Sequence, residues 1–258
     1  MTMKQRTWGL GVILAIGVVQ LSACAGAGQN LIATATAEPS PTVRMTDATP
    51  RPTITPPSCD LPLPGPEDWM VLVCDTFDSQ ESVFPDESQD NQYANYTGAT
   101  TEGQYQLNYT AKNFAAFTRT AITWFEIATA QDFAVSVTGL MNTQFQEVSW
   151  GIGFRGSGEK ESYFLFSIYN DGTYAFEIFE NRGWIPLISR RPFSGILPDQ
   201  ENKITVIAEG QSFRFLVNDE AVNFFNGGLL EGLQLFLMVS VREGASVNFT
   251  FDDIVVQI

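Results

Sequence analysis

There is no histidine among the 258 residues. That absence excludes nucleophilic triads with an imidazole base, His-ligated zinc and imidazole pH switches. Any acid–base work falls to Asp, Glu, Tyr or Lys. Positive charge is also scarce, with 14 Lys+Arg against 29 Asp+Glu and a formal net charge of −15. Nucleic acid and anionic membrane surfaces need a basic footprint, so neither is an expected partner. Cysteine is limited to three residues, and the odd number asks for an explanation. No stretch combines helical periodicity with caps. What is present is apolar and aromatic material, 44% and 12% of the chain, enough for a sizeable core. The length allows one or two domains at roughly 150 residues each.

The N-terminus accounts for one cysteine. Lys4 and Arg6 precede an apolar run from Trp8 to Val19, which is too short for a stable membrane span. Leu21-Ser22-Ala23-Cys24 follows. This order resembles the bacterial lipobox, which implies removal of residues 1–23 and a lipid on Cys24. An ordinary signal peptide with an incidental cysteine is the alternative. Several acyl chains, at about 0.8 kcal/mol per buried methylene, would hold the chain firmly on a membrane. The expected location is the cell membrane or outer envelope, facing away from the cytoplasm.

Residues 24–58 read as a tether. Positions 33–57 hold seven Thr and six Pro, and no aromatic occurs between 25 and 58. Such a segment buries too little apolar area to offset its ordering entropy.

The composition changes at Cys59. Residues 59–258 carry 27 acids and 10 bases, and all 20 Phe lie beyond the tether. Apolar residues alternate in short runs: Phe133/Val135/Val137, Phe164/Phe166/Ile168, Tyr174/Phe176/Ile178, Ile204/Val206/Ala208 and Phe213/Phe215/Val217. Period two is the signature of half-buried strands. Leu233 to Val241 is the longest run, with Phe236 and Met238 loading its other face. Asn170-Asp171-Gly172, Glu209-Gly210-Gln211 and Asn218-Asp219 are turn signals between the runs. The expected fold is all-β, a two-sheet antiparallel jelly-roll sandwich of about a dozen strands over residues 59–258. In the last run the apolar parity switches from Val247/Phe249/Phe251 to Ile254/Val256/Ile258. One extra residue at Asp252-Asp253, a β-bulge, keeps both sets facing the core.

Cys59 and Cys74 flank the entry to this region. Outside the cytoplasm a disulfide is expected, closing a loop of about 15 residues worth about 3 kcal/mol. Two separate thiols are the alternative.

Several short motifs follow one another along the chain: Asp75-Thr76-Phe77-Asp78, Gly103-Gln104-Tyr105-Gln106-Leu107, Trp150-Gly151-Ile152-Gly153-Phe154-Arg155, Asp171-Gly172-Thr173-Tyr174, Gly183-Trp184 and Phe251-Asp252-Asp253. Together they resemble the concanavalin A-like (laminin-G-like) jelly-roll modules of bacterial envelope lipoproteins, including the 3-keto-disaccharide hydrolase type. The resemblance implies a sandwich used by lectins, glycosidases and plain scaffolds alike. Laminarinase-type glucanases on this fold carry E-x-D-x-(x)-E on one strand, and that spacing does not occur here.

Candidate site residues follow from strand parity. With Phe164, Phe166 and Ile168 in the core, Tyr163 and Tyr169 point to the opposite face, and Glu177 does the same on the next run. Arg155 falls on the same side by alternation, and Trp184 follows in a Gly-Trp-Ile-Pro turn. Arg155, Tyr163, Tyr169, Glu177 and Trp184 mix aromatic plates with charged groups, as sugar sites do. Alternatively Arg155–Glu177 is a cross-strand ion pair and the Tyr residues cover a sheet. Asp75, Asp252 and Asp253 are candidate ligands for a structural calcium, since hard oxygen donors suit that ion and sandwich termini often pair. The expected function is a membrane-anchored, non-catalytic binding module for carbohydrate or another envelope polymer. The alternatives are a structural or protein-interaction lipoprotein, and a divergent glycosidase or 3-keto-glycoside hydrolase.

Overall fold

The computed structural model describes residues 63–78, 82–112, 116–121, 132–157, 162–228, 230, 232 and 234–258. Cys24, Cys59 and the boundaries at 23/24 and 58/59 lie outside the described residues. Every regular element among the described residues is a strand, fifteen in all, three more than the dozen read from the alternation. In chain order they are β1 (Val71–Asp75), β2 (Glu87–Asp90), β3 (Ala94–Thr101), β4 (Gln104–Ala111), β5 (Ala116–Ala121), β6 (Phe133–Asn142), β7 (Ser149–Ser157) and β8 (Ser162–Tyr169). Then come β9 (Thr173–Glu180), β10 (Gly183–Pro192), β11 (Asn202–Glu209), β12 (Ser212–Val217), β13 (Glu220–Asn226), β14 (Gln234–Val241) and β15 (Ser246–Gln257).

They form two antiparallel sheets. The nine-stranded sheet runs β13-β12-β11-β6-β15-β4-β3-β2, with β1 also paired to β15. The six-stranded sheet runs β10-β9-β8-β7-β14-β5. Non-consecutive neighbours such as β6-β15 and β7-β14 make this a jelly roll rather than a meander. The alternating Phe, Val and Ile residues of both sheets interdigitate between them. Phe166 stacks on Phe215 with centroids 4.5 Å apart, and Phe176 meets the same ring at 4.6 Å. Trp150 is fully buried against Phe251.

Turn chemistry sets the registers. Asn218-Asp219 has φ of 51° and 66°, the two positive values of a type I′ hairpin between β12 and β13. Asn181-Arg182, at 51° and 62°, joins β9 to β10 in the same way. The Asp252-Asp253 bulge is present as the parity switch requires. Pairing with β6 shifts between Asp252 and Ile254, and Asp253 has φ of 47°. Phe249, Phe251, Ile254 and Val256 consequently all reach the core. At the same point β4 leaves the flank of β15 and β1 takes its place, with Asp75 opposite Ile254.

The outer face of the nine-stranded sheet is crossed by residues 63–69. Leu63 packs on Ala134, Ile207 and Val255, joined by Trp69 and Cys74. The Gln257 side chain pins this strap, accepting from the Leu63 backbone N–H at 2.7 Å and donating to the Trp69 carbonyl at 3.1 Å.

Candidate functional site

The outer face of the six-stranded sheet carries a second apolar cluster. Tyr163, Leu165, Phe236 and Met238 are buried there with Phe179 packed against them. Gly151 and Gly153 permit this on β7: a Cβ on Gly153 would lie 2.1 Å from Phe236 Cε2, and one on Gly151 2.3 Å from the Phe166 carbonyl.

At the β9–β10 end of this face the register brings four side chains together. Phe179 pairs with Trp184, and Glu177 pairs with Pro186. Same-face neighbours along a strand are about 7 Å apart and cross-strand partners about 5 Å, so the four form one patch. Trp184 is 36% exposed. Its ring is held edge-on by Tyr163 at 5.7 Å and Phe179 at 5.1 Å. This fixes its orientation while leaving part of its surface open. Glu177 is half-buried, with Leu165 across β8 and Pro186 across β10. Burial among apolar neighbours pushes its carboxyl pKa up. Among the described residues no ion pair or hydrogen bond engages it.

The other sequence candidates are placed differently. Tyr169 lies at the far end of the face, where the Arg190 guanidinium stacks 3.8 Å above its ring. Arg190 is anchored there by Asp171 at 2.7 Å and Thr173 Oγ1 at 2.6 Å. Burial raises the Tyr169 hydroxyl pKa, and the Glu177 carboxylate adds to that. Tyr163 is buried and supports Trp184 from beneath rather than offering an open plate. Arg155 leaves the face altogether. Pairing of β7 with β8 shifts after Phe154 and Arg155 has φ of 51°, so simple alternation fails at this residue. Its guanidinium lies 4.9 Å from the Phe213 ring in the sandwich interior, where burial lowers its pKa and Asp132 opposes the shift. The Arg155–Glu177 ion pair does not form.

Phe179 and Pro186 are absent from the sequence candidates. The available signal was the two-residue connection Asn181-Arg182, which fixes Glu180 opposite Gly183 and hence the whole patch.

The three aspartates expected to hold calcium are neighbours, since β1 and β15 pair, but they do not converge. Both Asp75 oxygens are committed, accepting the backbone N–H groups of Phe77 and Val83 at 2.7 Å each. Asp253 is buried, and its carboxyl is pushed up to about 6 by burial, then by Asp252, Asp78 and Glu201, with Lys203 opposing. Among the described residues no three acidic side chains are grouped so as to hold a metal ion. The arrangement therefore does not fit the calcium site expected from sequence.

The sequence matches no protein-family model and no curated protein. Solved structures show the fold. One similar structure is SCLam, a non-specific endo-β-1,3(4)-glucanase from family GH16, at 11% identity and TM-score 0.53 over 77% of this chain and 94% of that one. Another is the laminarinase catalytic domain from Thermotoga maritima, at 10% identity and TM-score 0.52 over 74% and 98%. The GlcNAcα1-4Gal-releasing endo-β-galactosidase from Clostridium perfringens matches at 10% identity and TM-score 0.54 over 78% and 65%. The chain thus shares the jelly-roll sandwich of these glycanases.

Proposed function

We propose that this protein is a lipid-anchored, non-catalytic module that binds carbohydrate on the β9–β10 patch of its six-stranded sheet. The observation carrying this reading is the placement of a propped, part-exposed Trp184 beside a hydrogen-bond acceptor, Glu177, in the next residue pair on the same face. Sugar rings present C–H faces to an aromatic plate and hydroxyls to a carboxylate, and both are supplied within one patch. Glycosidic hydrolysis needs a second carboxyl within roughly 5–9 Å. The cross-strand and same-face neighbours of Glu177 are Leu165, Pro186, Ala175 and Phe179, none of them a carboxylate, which favours binding over catalysis.

Anchoring belongs to the same reading. Cys24 takes the lipid, residues 24–58 hold the sandwich away from the membrane, and a Cys59–Cys74 disulfide ties the tether to β1. A broad glycan array probed with the purified chain tests the function. Binding that Trp184→Ala abolishes while the protein still unfolds cooperatively is expected. Absence of any glycan signal, or sugar release from oligosaccharides that Glu177→Gln abolishes, overturns it.

A further inference from the structure

Glu177 is the unusual member of the patch. Its cross-strand neighbours are Leu165 and Pro186, and its same-face neighbours on β9 are Ala175 and Phe179. All four are apolar. The Arg190 guanidinium, farther along this face, is spent on Asp171 and on the Tyr169 ring. A half-buried carboxylate among apolar groups loses part of its hydration, and a cationic group on a ligand offsets that loss. The folded region is also strongly acidic, with 27 acids to 10 bases, so a polyanionic glycan is repelled before it arrives. A neutral sugar offers hydroxyl donors, whereas an ammonium offers three donors and the missing charge.

We propose that the glycan taken by this patch carries free amino groups, with the ammonium of one sugar seated on Glu177 while a neighbouring ring lies against Trp184. The proposal rests on the carbohydrate-binding reading above and specifies its ligand class. Trp184 supplies a second attraction, because an indole face also favours a nearby cation.

The test is calorimetric titration of the full chain at mildly acidic pH, where the sugar amines are protonated, and at physiological salt. Three probes of equal length are used: glucosamine oligosaccharides, their N-acetylated counterparts and neutral β-glucan oligosaccharides. The amino form is expected to bind about tenfold more tightly than the N-acetylated form, the scale of one charge-assisted hydrogen bond. Glu177→Gln is expected to remove that preference. Glu220→Gln, which deletes an exposed carboxylate on edge strand β13 of the other sheet, is expected to keep it. Equal affinity for amino and N-acetylated forms overturns the proposal, as do equal losses in the two variants, which reduce the effect to general attraction. If none of the three probes binds while the array shows other glycans, the amino-sugar assignment falls and the binding function stands. If no glycan binds at all, both fall.

Discussion

Replacing Asp253 by Asn is expected to stabilise the protein at neutral pH. The carboxyl is 5% exposed, at the bulge of β15, beside Asp252 and within reach of Asp78 and Glu201. Its pKa is pushed from 3.8 to about 6. The folded state therefore binds more protons than the unfolded state between about pH 4 and 6. Stability then falls as pH rises through that window, and the loss is complete above the folded pKa. A shift of roughly two units corresponds to about 3 kcal/mol at neutral pH, an upper figure because relaxation and solvent screen part of it. Asn preserves the shape, removes the charge and tolerates the left-handed backbone at this position. The variant is expected to gain about 1–3 kcal/mol above pH 7, or about 2–4 °C of melting temperature per kcal/mol for a domain this size. At pH about 4 the two proteins should melt together. Scanning calorimetry of both proteins across this pH range measures the effect. A variant less stable than the wild type at neutral pH, or a difference that does not change with pH, would refute the electrostatic reasoning.

Asp75→Ala is expected to cost about 2–4 kcal/mol in chemical denaturation, since two buried backbone N–H groups lose a charged acceptor; a loss below about 0.5 kcal/mol would contradict this. Gly151→Ala should destabilise by about 1–3 kcal/mol or more, because the new methyl meets the Phe166 carbonyl rather than a movable side-chain end. Melting midpoints in calcium and in chelator should coincide, given that Asp75 is already committed to the backbone; a midpoint raised by calcium would restore the metal site. Mass spectrometry of envelope-derived protein should find Cys24 acylated and Cys59 joined to Cys74, and reduction should lower stability by about 3 kcal/mol; unmodified Cys24 or two free thiols would sink the anchoring scheme.

Much of the fold was legible because a strand exposes its parity in the sequence. Phe164, Phe166 and Ile168 lie in the core and Tyr163 and Leu165 on the opposite face, as alternation requires. The double-loaded run ending at Val241 became β14, with Leu235 and Leu237 inward and Phe236 and Met238 in the second cluster. Even the bulge at Asp252-Asp253 was readable, since two apolar sets of opposite parity can share one core only across an inserted residue.

The site was less legible, and Arg155 shows why. Parity holds only while pairing is regular, and the shift after Phe154 turned this side chain toward Phe213 instead of Glu177. Likewise, alternation puts Tyr163 on the face it occupies, but its burial depends on Phe179, Trp184 and Phe236, which come from three other strands. Local sequence therefore determined which residues form strands and, for most of them, which face they take, because backbone geometry alone enforces the period of two. It also set the acidity and the lack of imidazole that narrow the chemistry. Only the tertiary structure decided which strands are neighbours. That choice placed Glu177 beside Pro186, Phe179 beside Trp184, and Asp75 on backbone amides rather than in a metal site. Cross-strand pairing joins residues through hydrogen-bond register over long sequence separations, and no local period encodes it.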